Sequence, residues 1–472
     1  MLTALEHSRC AKVFFYFEQI SKIPHGSGNT DKIADFLVDF ANARGLYVRR
    51  DGADNVVIKK KATNGYESRP AVIIQGHTDM VEAKTPDCTK DLKTEGLEIY
   101  VDGDFLRAHG TTLGADDGIG VAYALAILDS DDVPHPAIEA VFTSDEETGL
   151  IGAAALETDD LEARVMLNID MDNDKIFTAG CAGGITLDIT LPMKRAENKE
   201  PSVTLTVSGL CGGHSGGEIN RGRENAIRLL VSVLSELGDI KIAKISGGNA
   251  DNAIPRSASA TILGIDEQAV RERAEAMLGK YRAAEPSMTV TVEKGAERVN
   301  SFDIESTKNL IELIMEEPNG VIAMSADIDG LVETSLNLGI IETDGDAVRA
   351  VYSLRSSKDA EKSKLLNRVT SIATARGASY YAHGDYPGWE FKKESHLRKV
   401  MCSVYKRMYN EDARVVAIHA GLECGIFAGK LPGLDCVSIG PNNYDLHTTE
   451  EHLSISSTEK MWDFIKEVLK NI

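Results

Sequence analysis

Basic charge, paired cysteines and long apolar runs are what this sequence is short of. Its 73 Asp and Glu outnumber 51 Lys and Arg, a formal net charge of −22. That balance repels phosphate backbones and anionic headgroups, so neither a nucleic acid nor an anionic membrane is expected as the main partner. No basic stripe interleaved with aromatics runs against this. The seven cysteines (Cys10, Cys88, Cys181, Cys211, Cys402, Cys424 and Cys436) are scattered, and no two form C-x-x-C. A disulfide scaffold and a thiolate zinc site are therefore not expected, and a reducing cytoplasm fits the pattern. The apolar run 13–17 is bounded by Lys12 and Glu18. It is too short for a secretory leader or a membrane span, and nothing later approaches spanning length.

What is present suits a globular chain of about two to three domains: 472 residues, 43% hydrophobic and 26% charged. The first part alternates helical and strand patterns. In 30–44, Ile33, Phe36, Leu37 and Phe40 share one helical face, with Gly45 as a stop. Segments 55–59, 71–75, 138–143 and 165–169 read as strands, and 118–128 as a buried helix. After GCAGG (180–184) the pattern becomes strands, 203–207 and 288–292 among them, separated by amphipathic helices at 225–237 and 306–316. Segments 202–209 and 347–357 could be equivalent strands of two related halves. Beyond Trp389 the first pattern resumes, with strands at 413–419 and 435–440 and a closing helix at 458–472. The expectation is an α/β fold: a catalytic domain with a central mixed sheet flanked by helices, interrupted by an inserted α+β lid domain. The domains fall at 1–186, 187–385 and 386–472, with hinges near 185–187 and 384–388.

Polar residues cluster where the strands end, which is where open α/β sheets place ligands. The strand 71–75 runs into Gly76-His77-Thr78-Asp79. On extended chain His77 and Asp79 share a face, so Asp79 is placed to accept the second imidazole N–H. Taken alone, His-x-Asp reads equally well as a surface turn. Gly114-Ala115-Asp116-Asp117-Gly118 opens a helix, where its acids could do no more than cap. Strand 138–143 ends in Asp145-Glu146-Glu147, and strand 165–169 in Asp170, with Asp172 and Asp174 after it. A late turn-rich segment carries Asp445-Leu446-His447-Thr448. Together these supply two histidines and at least four carboxylates at strand ends, an inventory suited to paired Zn²⁺ or Mn²⁺.

The ordered phrases GHTDMV, GADDGIG, SDEETG, NID and DLHT resemble the co-catalytic metallopeptidase clan of carnosinases, aminoacylases and glutamate carboxypeptidases. The longer phrases IPHGSGN, GTTLGADDGIG, HSGGEINRGRENA and HAGLECGIF resemble its aminoacyl-histidine dipeptidase (Xaa-His, carnosinase-like) branch, and the likeness spans essentially the whole chain. The resemblance implies two divalent metals, Zn²⁺ first and Mn²⁺ or Co²⁺ as alternatives. His77, Asp116 and Asp170 would hold one metal and Asp116, Glu147 and His447 the other, across a cis Asp116–Asp117 peptide. It further implies a metal-activated hydroxide with Glu146 as general base, Asp79 behind His77, and His214 as an oxyanion donor. Apart from the resemblance, Arg355 could pair the substrate carboxylate or be an ordinary surface arginine, and Glu423 could accept the substrate's amino group. His25, His109 and His419 read as structural. One departure stands out: Asp117 occupies a place where many relatives carry Lys or Asn, an extra carboxylate that could raise the negative charge near the metals or change the metal preference without touching the ligand assignment. The implied activity is a cytoplasmic dipeptidase acting on unblocked dipeptides such as β-alanyl-histidine. An aminoacylase, a carboxypeptidase or an inactive metal-binding scaffold are the alternatives. A homodimer is left open.

Overall fold

The computed structural model describes residues 5–197, 200–297 and 299–472. Two compact units emerge. The first comprises Met1–Cys181, Trp389–Ala417 and Leu422–Ile472; the second comprises Ala182–Gly388 and Ile418–Gly421. The chain therefore crosses at 181/182 and 388/389, where the sequence reading draws 186/187 and 385/386, and again at 417/418 and 421/422. The glycines of GCAGG belong to a strand, Gly183–Pro192, that pairs with Ala347–Ser356 along its length. A Cβ on Gly183 would meet the Gly388 nitrogen at 2.5 Å and the Tyr386 carbonyl at 2.6 Å. Close backbone approach accounts for this glycine.

The first unit is built on an eight-stranded sheet. Its middle strands Ile138–Thr143, Val72–His77, Val165–Asn168 and Asp435–Ser438 run parallel. A parallel sheet covered on both faces buries both sides of each strand, hence the unbroken apolar runs. All six residues of Ile138–Thr143 and all six of Val72–His77 are buried. The helix Ala115–Leu128 is apolar nearly all round and is buried along almost its whole length, joining the core with Phe14, Phe17, Phe142 and Leu167. Parallel register brings four carboxyl ends to one edge: His77 lies opposite Thr143, and Gln75 and Ser438 lie on either side of Asn168.

The second unit has its own core around a nine-stranded sheet that includes both Pro201–Ser208 and Ala347–Ser356. Its helix Ala226–Ser235 is capped by Asn225, whose side-chain oxygen accepts from the amides of Ile227 (3.0 Å) and Arg228 (3.2 Å). The same side chain donates to the Leu338 carbonyl at 2.8 Å, fixing the helix to the sheet. No helix among the described residues is long and apolar enough to cross a membrane.

Candidate dinuclear metal centre

Four loops leave the carboxyl edge of the first unit's sheet, and each delivers a metal-type donor. His77 ends its own strand and is fully buried. Its Nδ1 donates to the Asp79 carbonyl oxygen at 3.0 Å and lies 3.4 Å from the Asp79 carboxylate, which leaves Nε2 available to a cation. That Nε2 stands 3.1 Å from Asp116 Oδ1 and 3.6 Å from Asp170 Oδ1. His447 Nε2 is 3.1 Å from the other Asp116 oxygen and 2.9 Å from Glu147 Oε1. Three donor groups result, within each of which the donor atoms all lie within 4.8 Å of one another: His77–Glu146–Glu147 and two triads, His77–Asp116–Asp170 and Asp116–Glu147–His447, that share Asp116. Its peptide bond to Asp117 is cis.

The electrostatics of the cluster fit cations. With no cation between them, the carboxylates of Asp116 and Glu147 raise the His447 pKa to about 10. Burial works against a charged His77, yet Asp116, Asp170 and Asp79 outweigh it and push its pKa well up. Burial lifts Asp170 to about 6. Burial also opposes ionisation of Asp116, but its bonds to His447 and His77 win and hold its pKa low. Carboxylates this dense drive two imidazoles to keep protons, and divalent ions would take the protons' place.

Asp79 organises the edge further. It is buried, and its Oδ1 accepts from the Glu146 amide at 2.9 Å. Its Oδ2 accepts from the Ser27 hydroxyl at 2.8 Å and the Glu147 amide at 3.3 Å. Asp145 takes a left-handed φ of 48° and accepts from the Gly28 amide at 2.6 Å. One carboxylate thus sets both His77 and the acid loop, and the phrase IPHGSGN braces it from behind. The Glu146 carboxylate itself makes no side-chain hydrogen bond to any described residue. Burial, with Asp170, Glu423 and Glu147 nearby, raises its pKa well above the usual range.

The expected surplus charge at Asp117 takes a different form from that reading. Its carboxylate is buried and turned into the protein, where it accepts from the His77 amide at 3.2 Å and the Gly120 amide at 3.1 Å. Gly76 and Gly120 make room for it: a Cβ on either would collide with its oxygens. Asp117 is the working cap of the buried helix, since the backbone turns regular only after it. Asp174 is likewise internal, accepting from Ser457 at 2.6 Å and Lys460 at 2.9 Å.

Glu423 opens the helix Glu423–Lys430 and is wholly buried. Its Oε2 accepts from Gln75 at 2.5 Å and Thr143 at 2.7 Å, while Oε1 has no partner. Burial lifts its pKa to about 7.

The remaining two site candidates belong to the second unit. His214 Nδ1 accepts from the amides of Gly216 (3.3 Å) and Gly217 (3.1 Å), so the ring proton resides on Nε2. Desolvation and the charge of Arg355 keep its pKa below normal, favouring the neutral donor. Arg355 is buried. Its Nη1 donates to Tyr386 Oη at 2.9 Å, and its Nε has no partner. His25 lies against the Ile23 carbonyl, His109 stacks on Tyr100, and His419 bonds Ser335 at 2.7 Å.

Two residues hydrogen-bonded to the loops of this centre, Ser27 and Glu451, carry no sequence signal of their own. Ser27 sits inside a phrase already singled out, without an assigned role. Glu451, four residues after His447, was passed over in an acidic TTEEH run that looks like solvated surface.

Residues 73–471 match the family model for peptidase family M20/M25/M40. The chain is 36% identical over 467 residues to the cytosol non-specific dipeptidase of Escherichia coli K12, covering 97% of this chain and 96% of that protein. The crystal structure of an aminoacylhistidine dipeptidase from Vibrio alginolyticus superposes with a TM-score of 0.90 at 35% identity, covering 99% of this chain and 98% of that one. The aminopeptidase PepT of Bacillus cereus shares the fold, with a TM-score of 0.59 at 15% identity over 98% of each chain.

Proposed function

Because the chain belongs to peptidase family M20/M25/M40, we propose that it is a metal-dependent dipeptidase that hydrolyses unblocked dipeptides, Xaa-His dipeptides such as β-alanyl-histidine among them. The observation that carries this reading is the shared carboxylate, with Asp116 facing His77 through one oxygen and His447 through the other, each at 3.1 Å. The substrate class is supported by the dipeptidase names of the two relatives that match over nearly the full length. Zn²⁺ suits the imidazole and carboxylate donors, and Mn²⁺ or Co²⁺ could use the same set. Bound between these ligands, two cations would polarise the scissile carbonyl and lower the pKa of a water. We place the activity in the cytosol, in keeping with the Escherichia coli relative and with seven cysteines free of disulfides.

The chain's own residues do the rest. Asp79 fixes the His77 tautomer and, through the Glu146 amide, the height of the acid loop. Glu146, its carboxylate unspent on hydrogen bonds, is assigned as general base, taking a proton from water and returning it to the leaving amine. His214, protonated on Nε2 and neutral, is assigned as donor to the developing oxyanion. Arg355, with Nε unpartnered, is assigned to the substrate carboxylate. The free Oε1 of Glu423 is assigned to the substrate ammonium. An unblocked dipeptide offers one carboxylate and one ammonium to pair both residues, and leaving either buried charge unpaired costs more than a missing methylene.

Elemental analysis and a substrate panel test this together. Two equivalents of metal are expected, with kcat/KM highest for alanyl- and β-alanyl-histidine and other dipeptides. Preference for acetylated amino acids would transfer the chain to the aminoacylases, and tripeptides cleaved equally well would remove the two-ended pairing. Inactive His214→Ala protein mixed with inactive Glu146→Gln protein asks whether His214 serves its own chain. Activity recovered on mixing means that a homodimer shares the site.

A further inference from the structure

Glu451 is a carboxylate only 3% exposed that joins two of the loops at the metal centre. Its Oε2 accepts from the amides of Leu113 (2.8 Å) and Gly114 (2.9 Å). Its Oε1 accepts from the amides of Ala115 (2.9 Å) and Asp116 (3.3 Å), and from Asn443 Nδ2 (3.2 Å). Four consecutive backbone donors therefore converge on one side chain, and the last belongs to the shared aspartate. Gly114, at φ 66°, supplies the left-handed turn that aims successive N–H groups to one side. The segment's own side chains cap none of them.

Short acids readily turn back onto nearby amides of their own backbone. Deprived of Glu451, the amides of 113–116 would compete with His77 and His447 for the Asp116 carboxylate, the acid of their own segment. We propose that Glu451 is a positioning residue: by occupying those amides it keeps the Asp116 carboxylate turned outward, with one oxygen for each cation. Through Asn443 the same carboxylate ties the loop that carries His447 to the loop that carries Asp116. This inference rests on the two-metal reading above.

The test compares metal affinity with stability. Dissociation constants for Zn²⁺ and Co²⁺ are measured against a competing chelator, alongside the apo-protein Tm, for wild type, Glu451→Gln, Glu451→Asp and Glu139→Gln. Glu139 is the control: a buried carboxylate of the same unit that accepts from the amides of Glu162 and Ala163, both at 3.1 Å, away from the centre. Glu451→Gln turns an amide donor towards backbone donors, and is expected to weaken metal binding about 10–100-fold, as loss of supporting shells does elsewhere. Glu451→Asp, with charge kept and reach shortened, should weaken it less. Glu139→Gln should lower Tm and leave metal affinity unchanged. Wild type binding fewer than two metals would remove the underlying reading and this inference with it. Wild type binding two while both Glu451 variants bind as tightly would overturn the inference alone. So would Glu139→Gln weakening metal binding as much as Glu451→Gln. Should Glu451→Gln fail to fold, the affinity of Glu451→Asp decides.

Discussion

Three pairs of adjacent acids in this chain, at 116–117, 146–147 and 316–317, are used differently. At 116–117 the first acid faces both imidazoles while the second is consumed by two backbone amides. At 146–147 the order reverses: the second acid faces His447, and the first keeps its carboxylate unbonded. At 316–317, in the second unit, Glu316 pairs with Arg376 at 2.7 Å, and buried Glu317 receives no backbone donor from the described residues. What separates a cap from a candidate base is whether backbone donors have already taken the lone pairs. Charge and burial alone do not decide it, since Asp117 and Glu317 are both more buried than Glu146.

The sharpest way to break this comparison is Glu146→Gln. It should lower kcat by about 10²–10⁴-fold with two metals still bound, because the lost group moves protons. An active variant that has lost metal would reverse the roles within the 146–147 pair. Asp117→Asn should do the opposite. It places a donor against the amide of His77 or Gly120, so about 1–3 kcal/mol of stability is lost, visible in Tm, with kcat falling far less than for Glu146→Gln. If Asp117→Asn proved as damaging to kcat as Glu146→Gln at unchanged Tm, the cap would have a chemical role.

The smallest effect belongs to Glu317. Burial raises its pKa from 4.5 to about 7, with the Tyr352 hydroxyl and Arg228 only partly offsetting the cost. An acid with a raised folded pKa holds its proton more tightly when folded. Its presence is therefore harmless below about pH 4.5 and destabilises progressively as pH rises through 7. Glu317→Gln should melt above wild type at pH 8, by something on the order of 1 kcal/mol. A full shift would convert to roughly 3. The two should differ little at pH 5. Equal melting at both pH values would mean that Glu317 is solvated.

Much of this was legible because a parallel sheet writes its interior as apolar runs and its ligands at the ends of those runs. The strand 138–143 is found with the boundaries read from sequence, and the acids that follow it are where that reading puts them. The helix expected from Gly118 is assigned from Ala115, but Asp116 and Asp117 are not helical inside it, so the reading caught the regular part. Direction was harder. Nothing in GADDG tells which acid looks outward, because the answer depends on the Gly76 and Gly120 backbones and on a carboxylate some 335 residues away. Glu451 was invisible for the same reason: its partners are backbone amides, which carry no residue identity, so an acid that holds them looks like any acid on a surface.

The donor shared by both triads comes early in the chain, but His447 comes late, roughly 280 residues after Asp170. A ribosome adding about 5–20 residues per second needs some 14–55 s to cross that interval. Throughout it the nascent first unit has one triad complete and the other lacking its imidazole. The donor set of the proposed second cation is therefore complete only when the segment that closes the fold has left the ribosome.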